Sequence, residues 1–158
     1  MITVDVKRIG THDLPLPQYA TTGAAGFDIT CAALFPIMVA PGRTVKVPCG
    51  FAYSIPTGYY GEVLGRSGLA LQGIHAHVGT IDADYTGEVA AIVINNSPES
   101  FVVTYGSRIA QMLIKKVEKV ELMQVAELAE TERGSNGFGS TGTTVIKKPV
   151  VGGYVRYI

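Results

Sequence analysis

Charge of neither sign is in excess in this chain: 13 lysines and arginines stand against 13 aspartates and glutamates in 158 residues. That balance removes the electrostatic footprint needed to bind duplex nucleic acid or an anionic membrane, while leaving room for a local basic site that meets a small anion. Cysteine is scarce. Cys31 and Cys49 are too few for a disulfide framework, and neither lies in a metal-spacing pair, so a reduced, intracellular setting is expected. No apolar run approaches the length of a membrane span, and residues 1–7 alternate apolar and polar with neither a basic nor an apolar leader region. The chain reads as soluble, untargeted and cytoplasmic, as a mature form stripped of its leader also would. Helical periodicity is rare, and there are no internal repeats.

Glycine and proline are plentiful. Nineteen glycines and eight prolines break the chain into short apolar segments, the pattern of an all-β sandwich or barrel. Strands are predicted at residues 2–6, 27–31, 44–47, 50–55, 59–64, 74–78, 89–95, 101–104, 109–117 and 120–125, each near a glycine, proline or polar break. Ten short strands suit a jelly-roll-like double sheet. One short helix is predicted over 67–72, with Ser67 as its cap and Gly73 ending it. Residues 1–132 form one domain, large enough to bury a core without disulfides or metal. Residues 133–142 are too rich in glycine and serine for a strand and are expected to be a mobile tail, followed by a β-like extension at 143–158.

Five segments carry polar groups suited to chemistry. Gly79-Thr80-Ile81-Asp82-Ala83-Asp84-Tyr85-Thr86-Gly87-Glu88 sets two carboxylates and a tyrosine in a glycine-bracketed turn. Either aspartate can be lifted toward a ligand there, or both can simply end a strand. Ala24-Ala25-Gly26-Phe27-Asp28-Ile29 puts a carboxylate between apolar residues, where it needs a partner or a cation. Arg66-Ser67-Gly68 brings a guanidinium, a hydroxyl and the first amides of a helical turn toward an anion, or is an ordinary cap with a solvated arginine. Arg108-Ile109-Ala110-Gln111 opens a long apolar strand. Arg133-Gly134-Ser135-Asn136-Gly137-Phe138-Gly139-Ser140-Thr141-Gly142 either wraps phosphate oxygens and offers Phe138 for stacking on a base, or is a plain linker.

That last run contains G-x-G-x-x-G, but without the strand before it, the helix after it and the acidic residue about twenty positions on that a dinucleotide fold needs. Ser140 stands where a P-loop has lysine. His75 and His77 share a strand face but lack a third ligand at zinc spacing. No serine or cysteine has the surroundings of a catalytic nucleophile.

Taken in order, the five segments resemble the five motifs of the homotrimeric dUTPase family, over residues 15–142. The resemblance implies a jelly-roll subunit with one short helix, assembly into a homotrimer with shared active sites, and Mg²⁺-dependent hydrolysis of dUTP to dUMP and pyrophosphate. That reaction limits uracil incorporation into DNA and supplies dUMP for thymidylate synthesis. It also implies roles. Asp82 is the general base for the water that attacks the α-phosphorus, Arg133 joins it as a catalytic residue, and Tyr85 packs on the deoxyribose and excludes a 2′-hydroxyl. The backbone from Ala76 through His77 to Gly79, with Ile81 beyond it, reads the uracil. Arg66, Ser67, Gly68 and Gln111 meet the phosphates, and Asp28 meets Mg²⁺ through water. Phe138 stacks over the uracil, while Gly139, Ser140 and Thr141 close on the β- and γ-phosphates.

Two departures accompany the resemblance. Gly65 stands where the family's second motif has proline, which loosens the approach to Arg66, and residues 143–158 continue past the family's last glycine. The related dCTP deaminases place a catalytic glutamate ten residues after the turn aspartate, where this chain has Ile92. A silent nucleotide-binding regulator, the other alternative, has no need for both Asp82 and a phosphate clamp.

Overall fold

The computed structural model describes residues 2–137. Strand β1 (Asp5–Arg8) is followed by β2 (Phe27–Thr30), β3 (Ile37–Val39), β4 (Thr44–Ser54) and β5 (Tyr59–Leu64). A four-residue helix, α1 (Ser67–Ala70), precedes β6 (Ile74–Ala76), β7 (Gly79–Ile81), β8 (Glu88–Asn95), β9 (Phe101–Val103) and β10 (Arg108–Lys116). Two four-stranded sheets, ordered β1-β4-β8-β6 and β2-β10-β5-β7, are accompanied by a two-stranded sheet, β3-β9. Every paired strand runs antiparallel to its neighbour. This is the expected all-β, jelly-roll-like sandwich.

The sheets form where strands present an apolar face to a shared core, as β8 does. Along β8, Val89, Ala91, Val93 and Asn95 are buried and alternate with Ala90, Ile92 and Ile94, which face outward, the period of two that a pleated strand imposes. Ile29, Val47, Phe51, Val63, Ile109 and Met112 belong to the same core. Each such side chain contributes about 1.5–3 kcal/mol when fully removed from water. Asn95 is the one fully buried polar residue of β8. Its amide nitrogen donates to the carbonyls of Val39 and Glu99, both at 2.7 Å, and its oxygen accepts from the Ser97 amide and hydroxyl.

Residues 44–47 and 50–55 read as two strands but form one, β4. Pairing with β8 runs to Pro48↔Ala90, then resumes at Ala52↔Glu88, so two extra residues bulge from β4. Gly50, with φ of +74°, sits in this bulge, where the left-handed backbone suits glycine. Side chains replace the lost ladder bonds. The Glu88 carboxylate accepts from the Gly50 amide at 2.8 Å, and the Gly50 carbonyl accepts from the Ile9 amide and from His12 Nε2 at 2.7 Å. Arg8 lies 3.0 Å from His12 Nδ1; because a guanidinium only donates, Nδ1 accepts and Nε2 carries the proton.

Other sequence expectations shift. Strand β3 lies in an unpatterned apolar stretch and is too short to show alternation. Strand β7 occupies residues assigned to the turn. Helix α1 is capped by Arg66, with no side-chain cap bond, so Ser67 is its first residue. Residues 120–125 form no strand, and Leu122 and Met123 are 91% and 80% exposed. This apolar stretch lacks the two things a strand requires, a neighbour for its backbone and a core for its apolar face. The chain divides here into two units, Met1–Val120 and Glu121–Ile158; the boundary read from composition, after residue 132, lies within the second. No helix of the described residues is long and apolar enough to cross a membrane.

Cys31 and Cys49 are both free and buried, and burial pushes both thiols up, that of Cys49 to about 12. Thiolate is the reactive form. Neither thiol of the native protein is expected to react with an aromatic disulfide reagent within minutes at neutral pH, whereas both react in guanidinium. Prompt native labelling would contradict the packing around β4.

Candidate active site

Strand β7 ends at Ile81, and the chain turns at once. The Tyr85 amide donates to the Asp82 carbonyl at 3.1 Å, closing a four-residue turn with Asp82 at its root. The tyrosine ring folds back over Gly87, where an added Cβ would lie 2.6 Å from the hydroxyl. That hydroxyl donates to the Glu88 carbonyl at 3.0 Å. Ring and turn are thereby held as one piece. Asp82 and Asp84 are exposed and make no salt bridge among the described residues.

Asp82 borders two cavities. One of about 370 Å³ is walled by Lys46, Thr80, Ile81, Tyr85, Glu88 and Ile92 among others. The larger, about 690 Å³, includes Tyr60, Glu62, Asp84 and Lys119. Only the smaller one is lined by both Asp82 and Tyr85, and its volume suits a nucleoside. Asp84 borders only the larger cavity. There Glu62 is bonded to Lys115, whose ammonium it holds above the usual lysine range.

A second group of polar residues gathers at the other end of β5. Asp28, Gln111 and Leu64 form one cross-strand row over β2, β10 and β5. The Asp28 carboxylate lies between two guanidinium groups, Arg66 Nε at 3.2 Å from Oδ1 and Arg108 Nη1 at 3.2 Å from Oδ2. Arg66 also donates to the Arg108 carbonyl at 2.9 Å, and Gln111 Nε2 to the Gly65 carbonyl at 3.2 Å. Ion pairs this accessible add little to stability. What they fix is direction, aiming two arginines beside Ser67 and Gly68, whose amides open a helix and have no acceptor within it. Arg108 stands in a segment picked out in the sequence, but only Gln111 of that segment was given a role there; the arginine's charge three positions before Gln111 was the available signal.

The two groups are far apart within one chain. Register Gly61↔Ile81 and Val63↔Gly79 puts Asp82 beside Tyr60, whereas Arg66 lies six residues further along. At about 3.3 Å per residue, the separation is on the order of 20 Å. At the end of β6, Ala76 pairs with Val93, and the His77 amide just after it donates to the Ile92 carbonyl at 2.8 Å. Gly79 pairs with Val63. No group of three or more histidine, cysteine or acidic side chains suited to a metal occurs among the described residues, so His75 and His77 have no third ligand there. In the second unit, Arg133 is exposed and its Nε donates to the Asn136 carbonyl at 2.9 Å. Phe138, Gly139, Ser140 and Thr141 lie outside the described residues, as does the 143–158 extension.

The sequence pattern of the dUTPase family matches residues 12–142. The deoxyuridine 5′-triphosphate nucleotidohydrolase of Anaeromyxobacter sp. (strain Fw109-5) is 44% identical over 146 residues, covering 89% of this chain and 98% of that protein. Among solved structures, a point mutant of the dUTPase of Staphylococcus bacteriophage 80alpha with dUpNHpp is similar at a TM-score of 0.83 and 27% identity, over 90% of this chain and all of that one. A mutant dUTPase from phage phi11 of S. aureus, whose structure gives the coordination of a structural Mg(II) ion, is similar in fold at a TM-score of 0.73 and 24% identity, over 80% of this chain and 98% of that one.

Proposed function

The chain belongs to the dUTPase family and hydrolyses dUTP to dUMP and pyrophosphate, and from that premise we propose which of its residues carry out the reaction. The observation that carries the reading is Asp82: an exposed carboxylate without a salt bridge among the described residues, on a closed turn, bordering a nucleoside-sized cavity with Tyr85. The nucleoside enters that cavity. Asp82 orients a water and takes its proton as the water oxygen bonds to the α-phosphorus. The bond from that phosphorus to the bridging oxygen breaks, and pyrophosphate leaves. Tyr85 lies on the deoxyribose and leaves no space for a 2′-hydroxyl. The backbone from Ala76 to Gly79 reads the uracil edge, with Ile81 beneath it, using groups other than the His77 amide.

Phosphoryl transfer asks mainly for positioning and for neutralisation of charge. Arg66, Ser67, Gly68 and Gln111 supply both to the phosphates, and Arg108 joins them. Arg133, Ser140, Thr141 and the Gly139 backbone close on the β- and γ-phosphates, and Phe138 covers the base. Asp28 accepts one guanidinium contact on each oxygen and keeps unused lone pairs, which fits a water-mediated contact to Mg²⁺. Mg²⁺ would be held there through its own waters, so a single carboxylate would suffice. When bound it would supply further neutralisation of the phosphates.

The separation between Asp82 and Arg66, on the order of 20 Å along β5 and the two residues after it, is too far for one chain to present both to a single α-phosphorus. A homotrimer resolves this if each site takes Asp82 and Tyr85 from one subunit and the Arg66 group from another. The test of the activity is incubation with each deoxynucleoside triphosphate and with UTP, in Mg²⁺, followed by measurement of pyrophosphate. Release from dUTP alone is expected. Equal release from all, or none from any, would overturn the reading.

A further inference from the structure

Tyr85 can reject a 2′-hydroxyl only if its ring stays in place when a ribonucleotide pushes against it. The ring's hydroxyl is tied to the backbone carbonyl of Glu88, so the ring is as firm as that carbonyl. Glu88 is the first residue of β8 and pairs with Ala52 just beyond the bulge in β4. Regular pairing has lapsed there for the residues between Pro48 and Ala52. What ties Glu88 across the lapse is its own side chain, whose Oε1 accepts from the Gly50 amide at 2.8 Å. Gly50 is itself fixed from the other side, its carbonyl held by His12 and Ile9.

We propose that Glu88 is a positioning residue for sugar selection: its carboxylate clamps the bulge at Gly50, and its carbonyl thereby holds the Tyr85 ring where it excludes a ribose. The proposal rests on Tyr85 as the sugar gate. Gly87 belongs to the same device, because the ring rests where any Cβ would intrude. Two links in series, one from a side chain and one from a main-chain carbonyl, connect the β4 bulge to the gate.

The test measures kcat/KM for dUTP and for UTP in the wild type and in Glu88→Ala, Glu88→Gln and Tyr85→Ala. Glu88→Ala is expected to lower the dUTP-to-UTP preference at least tenfold, mostly through a gain on UTP and a higher KM for dUTP, with kcat for dUTP changing less. Glu88→Gln retains the preference, because its amide oxygen still accepts from the Gly50 amide. A general loss of structure would lower both substrates together and leave the ratio intact. If Glu88→Ala does not fold, Glu88→Met keeps the volume without the acceptor and carries the same expectation. Tyr85→Ala separates the two failures. Preference retained in Tyr85→Ala sinks the gate and this proposal with it. Preference lost in Tyr85→Ala but retained in Glu88→Ala or Glu88→Met sinks the Glu88 role alone, as does a Glu88→Gln variant no better than Glu88→Ala.

Discussion

Asp82→Asn is expected to lower kcat for pyrophosphate release about 10³-fold, within the range that a positioned general base supplies. Asparagine keeps the size and polarity of the side chain but cannot take the proton of the attacking water. Binding should survive, because the nucleotide is polyanionic and loss of a nearby negative charge does not weaken its hold. The pair of measurements is kcat from pyrophosphate release and Kd for the imido analogue dUpNHpp. Turnover within tenfold of the wild type would remove Asp82 as the base. A large loss of analogue affinity with kcat preserved would instead make it a binding group.

Mixing two inactive variants should restore activity. Asp82→Asn and Arg66→Gln are each expected to be nearly inactive alone, since one lacks the base and the other weakens the phosphate clamp. In a ring of three, if each site draws Asp82 and Arg66 from different subunits, any mixed ring contains one site free of both defects. Random assembly from equal amounts after unfolding and refolding then returns about a quarter of wild-type activity. Were both groups drawn from one chain, no intact site would form in any mixture. Recovery above the sum of the separate variants is the expected result, and none at all would sink the shared site.

The turn at Asp82 was legible in the sequence because its chemistry is local: glycines bracket it and the tyrosine lies three residues on. Strand β8 was legible for a similar reason, its alternation reporting directly on one buried face. The convergence of Asp28, Arg66 and Arg108 was not. Those residues lie on three separate segments, and only the register of β2 and β5 against β10 brings them together. Pro48 and Gly50 read as breakers, yet β4 passes through them, because side chains of Glu88 and His12 serve the backbone groups that the bulge leaves without ladder partners. No local rule reports such a long-range rescue. The same holds for residues 120–125, where apolar composition suggested a strand that nothing among the described residues completes.

Asn95 gives the fold a chemical clock. Its amide nitrogen feeds the carbonyls of Val39 and Glu99, and deamidation would exchange that nitrogen for an oxygen. Two attractions would become two repulsions, with a negative charge enclosed among them. The lesion puts a charged acceptor in place of a donor where β8 is anchored to the β3-β9 pair. Tight enclosure restrains the backbone rearrangement that deamidation requires, so the packing that makes the damage costly also slows its arrival.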